Sequence, residues 1–201
     1  MRLQIAICTL LTVLAAGLAG CAPTKPTRFY VLDSAAEQPI AKSASNMAIG
    51  VGPITLPQYL DRPQIVTRVS GNQLELAEFD QWGGDIQDNI TRTLATNLSS
   101  LLGTDRVSLF PSKNDAPIDY QIQVDVTAFE QAPNGESVLG AFWSVITPAD
   151  GKVVLMRRST FRTAAPAATG NGYDAAVAAM SQNLQSLSQD IAKAVSDLAQ
   201  Q

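Results

Sequence analysis

The hydrophobic period of this chain switches between two and about 3.6, and that switching limits the folds open to it. From Asp85 to Leu102, Ile86, Ile90, Leu94, Leu98 and Leu101 recur at intervals of four and three, which is one face of an amphipathic helix. Gly83-Gly84-Asp85 suits its start, with Asp85 as N-cap, and Gly103 suits its stop. A second helical run, Tyr173 to Ala199, carries Val177, Met180, Leu184, Leu187, Ile191, Ala194 and Leu198 at the same steps. That stripe fits packing on the chain's own sheet. Its heptad-like spacing also fits a helix of another subunit, so both readings stand.

The other apolar runs are short and alternating. Tyr120, Ile122, Val124 and Val126 alternate with Gln121, Gln123, Asp125 and Thr127, the pattern of a half-buried strand. Pro133-Asn134-Gly135 turns it into Val138–Ile146, and Asp150-Gly151 turns that into Val153–Thr163, an antiparallel meander. Upstream, Phe29–Leu32, Met47–Ile54 and Arg106–Phe110 read as strands. Arg62–Arg68 and Gln73–Leu76, joined by Ser70-Gly71-Asn72, read as a hairpin. Residues 33–45 and 164–172 read as loops, and no internal repeat is visible. Strands, helix, strands, helix is the order of an α/β fold: a single-domain sandwich with a mixed, largely antiparallel sheet and two main amphipathic helices.

The N-terminus has its own logic. Met1-Arg2, an apolar stretch from Ile5 to Gly17 and the small residues Leu18-Ala19-Gly20 precede Cys21, the order of a secretory signal. The arrangement resembles the lipobox of bacterial lipoproteins, in which the cysteine thiol is acylated, with fatty acids such as palmitate, and the signal is cut before it. The apolar stretch is too short for the ~20 residues of a membrane span. The expected organisation is therefore a signal peptide over 1–20, a lipidated tether over 21–28 starting at Cys21, and a domain over 29–201. At ~3.1 Å per residue the tether reaches about 20 Å, which holds the domain close to a membrane.

Composition excludes several classes. Without Arg2 the mature chain has 13 basic and 18 acidic side chains, net −5, and Arg157-Arg158 is the only adjacent basic pair. Nucleic acid or an anionic bilayer surface is thus disfavoured as main partner. Cys8 leaves with the signal, Cys21 takes the lipid, and histidine is absent. No Ser-His-Asp, Cys-His or His/Cys metal set is available, so no enzyme, metal site or cofactor is expected. Asp80, Asp85 and Asp88 form the one dense acidic group and read as charges favoured by the helix N-terminus.

One stretch resists an architectural reading. In Val51–Arg68, three prolines surround Tyr59-Leu60-Asp61-Arg62. Proline fixes the backbone, so residues 53–63 should form a rigid projection. Tyr59, Leu60, Asp61 and Arg62 then either anchor a partner or apolar ligand or form a packed turn. Trp82 stands before the first helix and is either a contact with another subunit or a cap on the core.

The lipobox, Phe29–Leu32, Pro57-Gln-Tyr-Leu-Asp-Arg-Pro-Gln-Ile-Val66 and Trp82 before its helix closely resemble the PqiC/YmbA-type lipoproteins, over most of the mature chain. These are auxiliary lipoproteins of ABC-type transport systems that contain MCE proteins. The resemblance implies an α/β sandwich and a non-enzymatic docking or structural subunit of an envelope-spanning lipid transport machine. The MCE-domain protein is the implied partner, and a ring-like homo-oligomer is possible because MCE proteins form rings. Ala22 after Cys21 supports sorting to the periplasmic face of the outer membrane, where an Asp would typically retain the protein at the inner membrane. The alternative is an envelope lipoprotein that activates or scaffolds a cell-wall enzyme, against which the short tether argues.

Overall fold

The computed structural model describes residues 25–34, 46–110, 117–166 and 172–200. Cys21, the signal segment, and parts of the 33–45 and 164–172 stretches lie outside them. Eight strands and two helices are described: β1 (Arg28–Tyr30), β2 (Ile49–Thr55), β3 (Gln64–Ser70), β4 (Gln73–Trp82), α1 (Ile86–Leu102), β5 (Val107–Leu109), β6 (Tyr120–Gln131), β7 (Glu136–Thr147), β8 (Lys152–Ala164) and α2 (Asp174–Leu198).

Strand β6 is the pivot of one curled, mixed sheet. Strand β7 runs antiparallel along one edge of β6, and β8 pairs β7. The other edge is shared. Strand β2 pairs it in parallel from Ile49↔Tyr120 to Thr55↔Asp125, and β3 meets it at Thr67↔Gln131. Strands β5 and β1 add in parallel on β2 and β4. The two longest ladders, β6–β7 and β7–β8, are antiparallel, as is β3–β4; β2–β6 is the one parallel ladder of comparable length to β3–β4 among the described residues. The sheet is therefore of the mixed, largely antiparallel kind that the alternating runs predict.

The turns follow from their residues. Gly135 and Gly151 sit at φ 83° and 66°. The Asn134 side chain accepts from the Glu136 N–H at 3.1 Å, and the Asp150 carboxylate accepts from the Thr147 hydroxyl and the Lys152 N–H. At Gly52, φ is 121° and a Cβ would collide with the Phe110 carbonyl, so only glycine lets β2 pass β5 here.

Helix α1 is capped as its sequence predicts. The Asp85 carboxylate accepts from the Asp88 N–H at 2.9 Å, and Gly103 closes the helix in the left-handed region. Loss of this N-cap costs about 1 kcal/mol. Asp85→Ala should lower the melting temperature by roughly 2–4 °C, measured by circular dichroism.

Helix α1 packs on β2, β5 and α2, while α2 lies across β6, β7 and β8. The α2 stripe is covered by the chain's own sheet: Val177, Met180, Leu184, Leu187, Ile191 and Ala194 are all buried. Polar bonds fix its register. Asn183 donates to the Ser137 carbonyl and accepts from the Thr163 hydroxyl, and Asn97 of α1 donates to Ser188. Both helices cover one face of the sheet, against Ile122, Val124, Leu139, Trp143 and Val145. Among the described residues no element covers the opposite face, which carries Pro53, Asp125, Phe142, Met156 and Arg158.

Several boundaries differ from the sequence reading, among them the end of β6, which runs four residues past Thr127 to Gln131. Strand β4 runs six residues past Leu76, because Ala77, Asp80 and Trp82 continue the inward set across a bulge opposite Gln64–Val66. The hairpin's first strand begins at Gln64, since Arg62-Pro63 belong to the preceding turn.

Candidate docking site

The loop between β2 and β3 is bound to the domain along its length. Leu60 N–H donates to the Pro57 carbonyl at 2.9 Å, Arg62 N–H to the Leu60 carbonyl at 2.8 Å, and Trp82 N–H to the Pro63 carbonyl at 2.7 Å. The prolines do stiffen the segment, but they direct it inward. Leu60 is 5 % exposed and packs with Leu56, Val66, Trp82, Ile86 and Phe129 around a small void of ≈ 10 Å³. Trp82 is also 5 % exposed, its indole stacked on Phe129 at 6.5 Å between centroids. Of the two readings of the tetrad, Leu60 takes that of a packed turn, and Trp82 is a core residue capping the start of α1.

Tyr59 is half-buried and its hydroxyl donates to Glu130 Oε2 at 2.6 Å. The Arg68 guanidinium donates to the other oxygen of the same carboxylate. Glu130, on β6, is 3 % exposed, and a buried carboxylate persists only when paired and hydrogen-bonded. Burial, reinforced by the bond to Glu130, pushes the Tyr59 phenol upward, so it stays a neutral donor. Tyr59, Arg68 and Glu130 therefore rivet the loop to β3 and β6. Nothing local marks Glu130 for this role. Its partners lie 71 and 62 residues away in sequence.

The far end of the loop is its accessible part. Asp61 is exposed and Arg62 half-buried, lining a shallow groove of ≈ 220 Å³ with Pro63, Gly84, Asp85 and Ile86. The Arg62 Nε is buried without a hydrogen-bond partner.

A second buried carboxylate corrects the reading of the acidic group. Asp85 is the N-cap, and Asp88 pairs with Arg92 in the first turns. Asp80 instead lies in β4 and is buried. It accepts from Arg28 Nε at 2.6 Å, Arg28 Nη2 at 2.9 Å and the Tyr30 hydroxyl at 2.7 Å. The Tyr30 oxygen in turn accepts from the Tyr173 N–H ahead of α2. This clamp closes the point where the expected tether enters the domain. The Arg28 bonds, then Tyr30, hold the Asp80 carboxyl below its ordinary value of 3.8. A depressed folded-state value means stability that is present above 3.8 and lost as pH falls through the lower, folded value. Asp80→Asn should therefore be less stable than the parent at neutral pH, with the gap closing below pH 3.8 in urea melts run from pH 7 to pH 2.

A small α/β domain built on a mixed, curled sheet with both helices on one face is the class that this geometry defines. The chain belongs to the family of ABC-type transport auxiliary lipoprotein components, whose model matches residues 30–192. A crystal structure of an uncharacterized protein has the same fold, with TM-score 0.69 and 21 % identity, covering 85 % of this chain and 99 % of that one. A DUF330 protein from Xanthomonas campestris is similar too, with TM-score 0.70 and 16 % identity over 83 % of this chain and 93 % of its own. No curated protein sequence matches this chain.

Proposed function

We propose that this chain is the outer-membrane lipoprotein subunit of an MCE/ABC-type intermembrane lipid transport system, acting as a docking and structural component without turnover of its own. The observation that carries this reading is family membership across the domain, joined to a lipobox cysteine only seven residues before Arg28. Such a tether keeps the domain at the membrane, where it can receive a partner that crosses the periplasm. The absence of histidine from the sequence favours binding over acid–base catalysis. The partner is an MCE-domain protein, and the Asp61–Arg62 end of the loop is its contact. A ring of copies would multiply that contact, and linked weak contacts raise avidity without any new kind of contact. Trp82 and most of the α2 stripe are buried, which leaves Asp61 and Arg62 as the accessible residues for such contacts.

The test is affinity purification of the tagged chain from detergent-solubilised envelopes, with bound proteins identified by mass spectrometry. The parent chain should bring down an MCE-domain protein, and Asp61→Lys with Arg62→Glu should lose most of it while melting within a few degrees of the parent. Recovery of no MCE protein, or equal recovery with the reversed charges, would overturn the partner or the contact respectively.

A further inference from the structure

The bare face of the sheet carries a furrow that the docking loop does not use. Strand register sets its walls. Asp125, Phe142 and Arg158 lie side by side on β6, β7 and β8, and Gln123, Ser144 and Met156 form the next row. Thr55 flanks Asp125 on β2, with Pro53 two residues before it. The small Ser144 forms the floor between taller neighbours, leaving an open groove of ≈ 280 Å³ walled by Pro53, Phe142 and Met156. Met156 is 69 % exposed and Phe142 44 %. Val153, also exposed, extends the apolar surface along β8. Large apolar side chains left contiguous on a sheet face mark a binding surface.

Charge narrows the occupant. Arg158 lies over the Phe142 ring at 5.5 Å and forms no ion pair among the described residues. Asp125 flanks the same ring from the other side. It accepts one bond, from the Thr55 hydroxyl at 2.7 Å, and has acceptor capacity left. Their backbones are two strand spacings apart, about 10 Å, a gap that a long Arg side chain narrows. A purely anionic head would meet Asp125 and a purely cationic one would meet Arg158. A head with a phosphate and a primary ammonium satisfies both.

We infer that this furrow binds a phospholipid with a phosphoethanolamine head: phosphate on Arg158, ammonium on Asp125, and one acyl chain along Pro53, Phe142 and Met156. The inference deepens the proposed role in lipid transport, because the subunit would then hold cargo at the membrane and not only a protein partner.

The test is photo-crosslinking of the full chain in phosphatidylcholine nanodiscs, using lysophosphatidylethanolamine with a diazirine at the acyl terminus. Adducts are mapped by peptide mass spectrometry. Labelling should concentrate on Phe142, Met156 and the Pro53 segment. Phe142→Ser with Met156→Ser should lower it about tenfold, the factor set by ~1.4 kcal/mol. Both side chains are exposed, so the melt should hold within a few degrees; if the pair unfolds, Met156→Ser alone serves. Arg158→Gln and Asp125→Asn should each weaken labelling several-fold and erase the preference over the glycerol- and choline-headed probes. Label scattered over the surface, equal labelling by all three heads, or labelling untouched by the double variant would overturn the site. Free phosphoethanolamine competing as well as the lipid would overturn the acyl part. Protection of Met156 by the MCE protein, with no lipid adduct, would make the face a protein contact and refute the proposal while leaving the docking role intact. Lipid labelling with no MCE protein in the pull-down would do the reverse.

Discussion

Leu60→Ala should lower the melting temperature by roughly 6–12 °C. The side chain is fully packed against Trp82, Ile86 and Phe129, and its truncation leaves a cavity where almost no void exists now. Such a change costs about 3 kcal/mol, which in a domain of this size is a shift of that order. Asp61→Ala, one residue on and exposed, should change stability by under ~0.5 kcal/mol. Paired thermal melts of the two variants decide between a loop that is part of the core and one that merely projects from it. Equal, small effects would return Leu60 to the surface.

Cys21→Ser should abolish retention at the outer membrane. One acyl chain holds a protein marginally and two or more hold it stably, so loss of the acylated thiol removes the anchor altogether. The expected product is an uncleaved precursor or a soluble chain, read by labelling with a radioactive fatty acid and by separation of inner and outer membranes on a density gradient. A Cys21→Ser chain that is processed and still bands with the outer membrane would show that something other than the lipobox holds it there.

The parts of this fold legible in the sequence are those set by neighbours. The Asp85 cap, the Gly103 stop, both helical stripes and the β6–β7–β8 meander each depend on residues within a turn or two of each other, and all lie where their spacing puts them. What could not be read depends on chain segments that meet only after folding. Asp80 sits five residues before a helix cap and its charge suits a helix N-terminus. It becomes a buried acceptor because β1, 52 residues earlier, brings Arg28 alongside it. Leu60 and Trp82 were open to either reading, since prolines state that a loop is stiff and not which way it points. Glu130 gave no signal at all: a lone acid ending an alternating strand looks solvated until Tyr59 and Arg68 arrive from two other elements. The furrow on the bare face has the same origin. Phe142 and Asp125 are ordinary outward residues of two strands, and only the ladder register sets them beside Arg158.

The proposed role of this chain is that of a membrane-anchored docking subunit for an MCE protein. The most direct test of that role is chemical cross-linking in intact cells, followed by separation of the two membranes and mass spectrometry of what is joined to this chain. The predicted result is an MCE-domain protein linked to the chain in the outer-membrane fraction. A chain found in the inner membrane, or linked to a cell-wall enzyme and to no MCE protein, would contradict it.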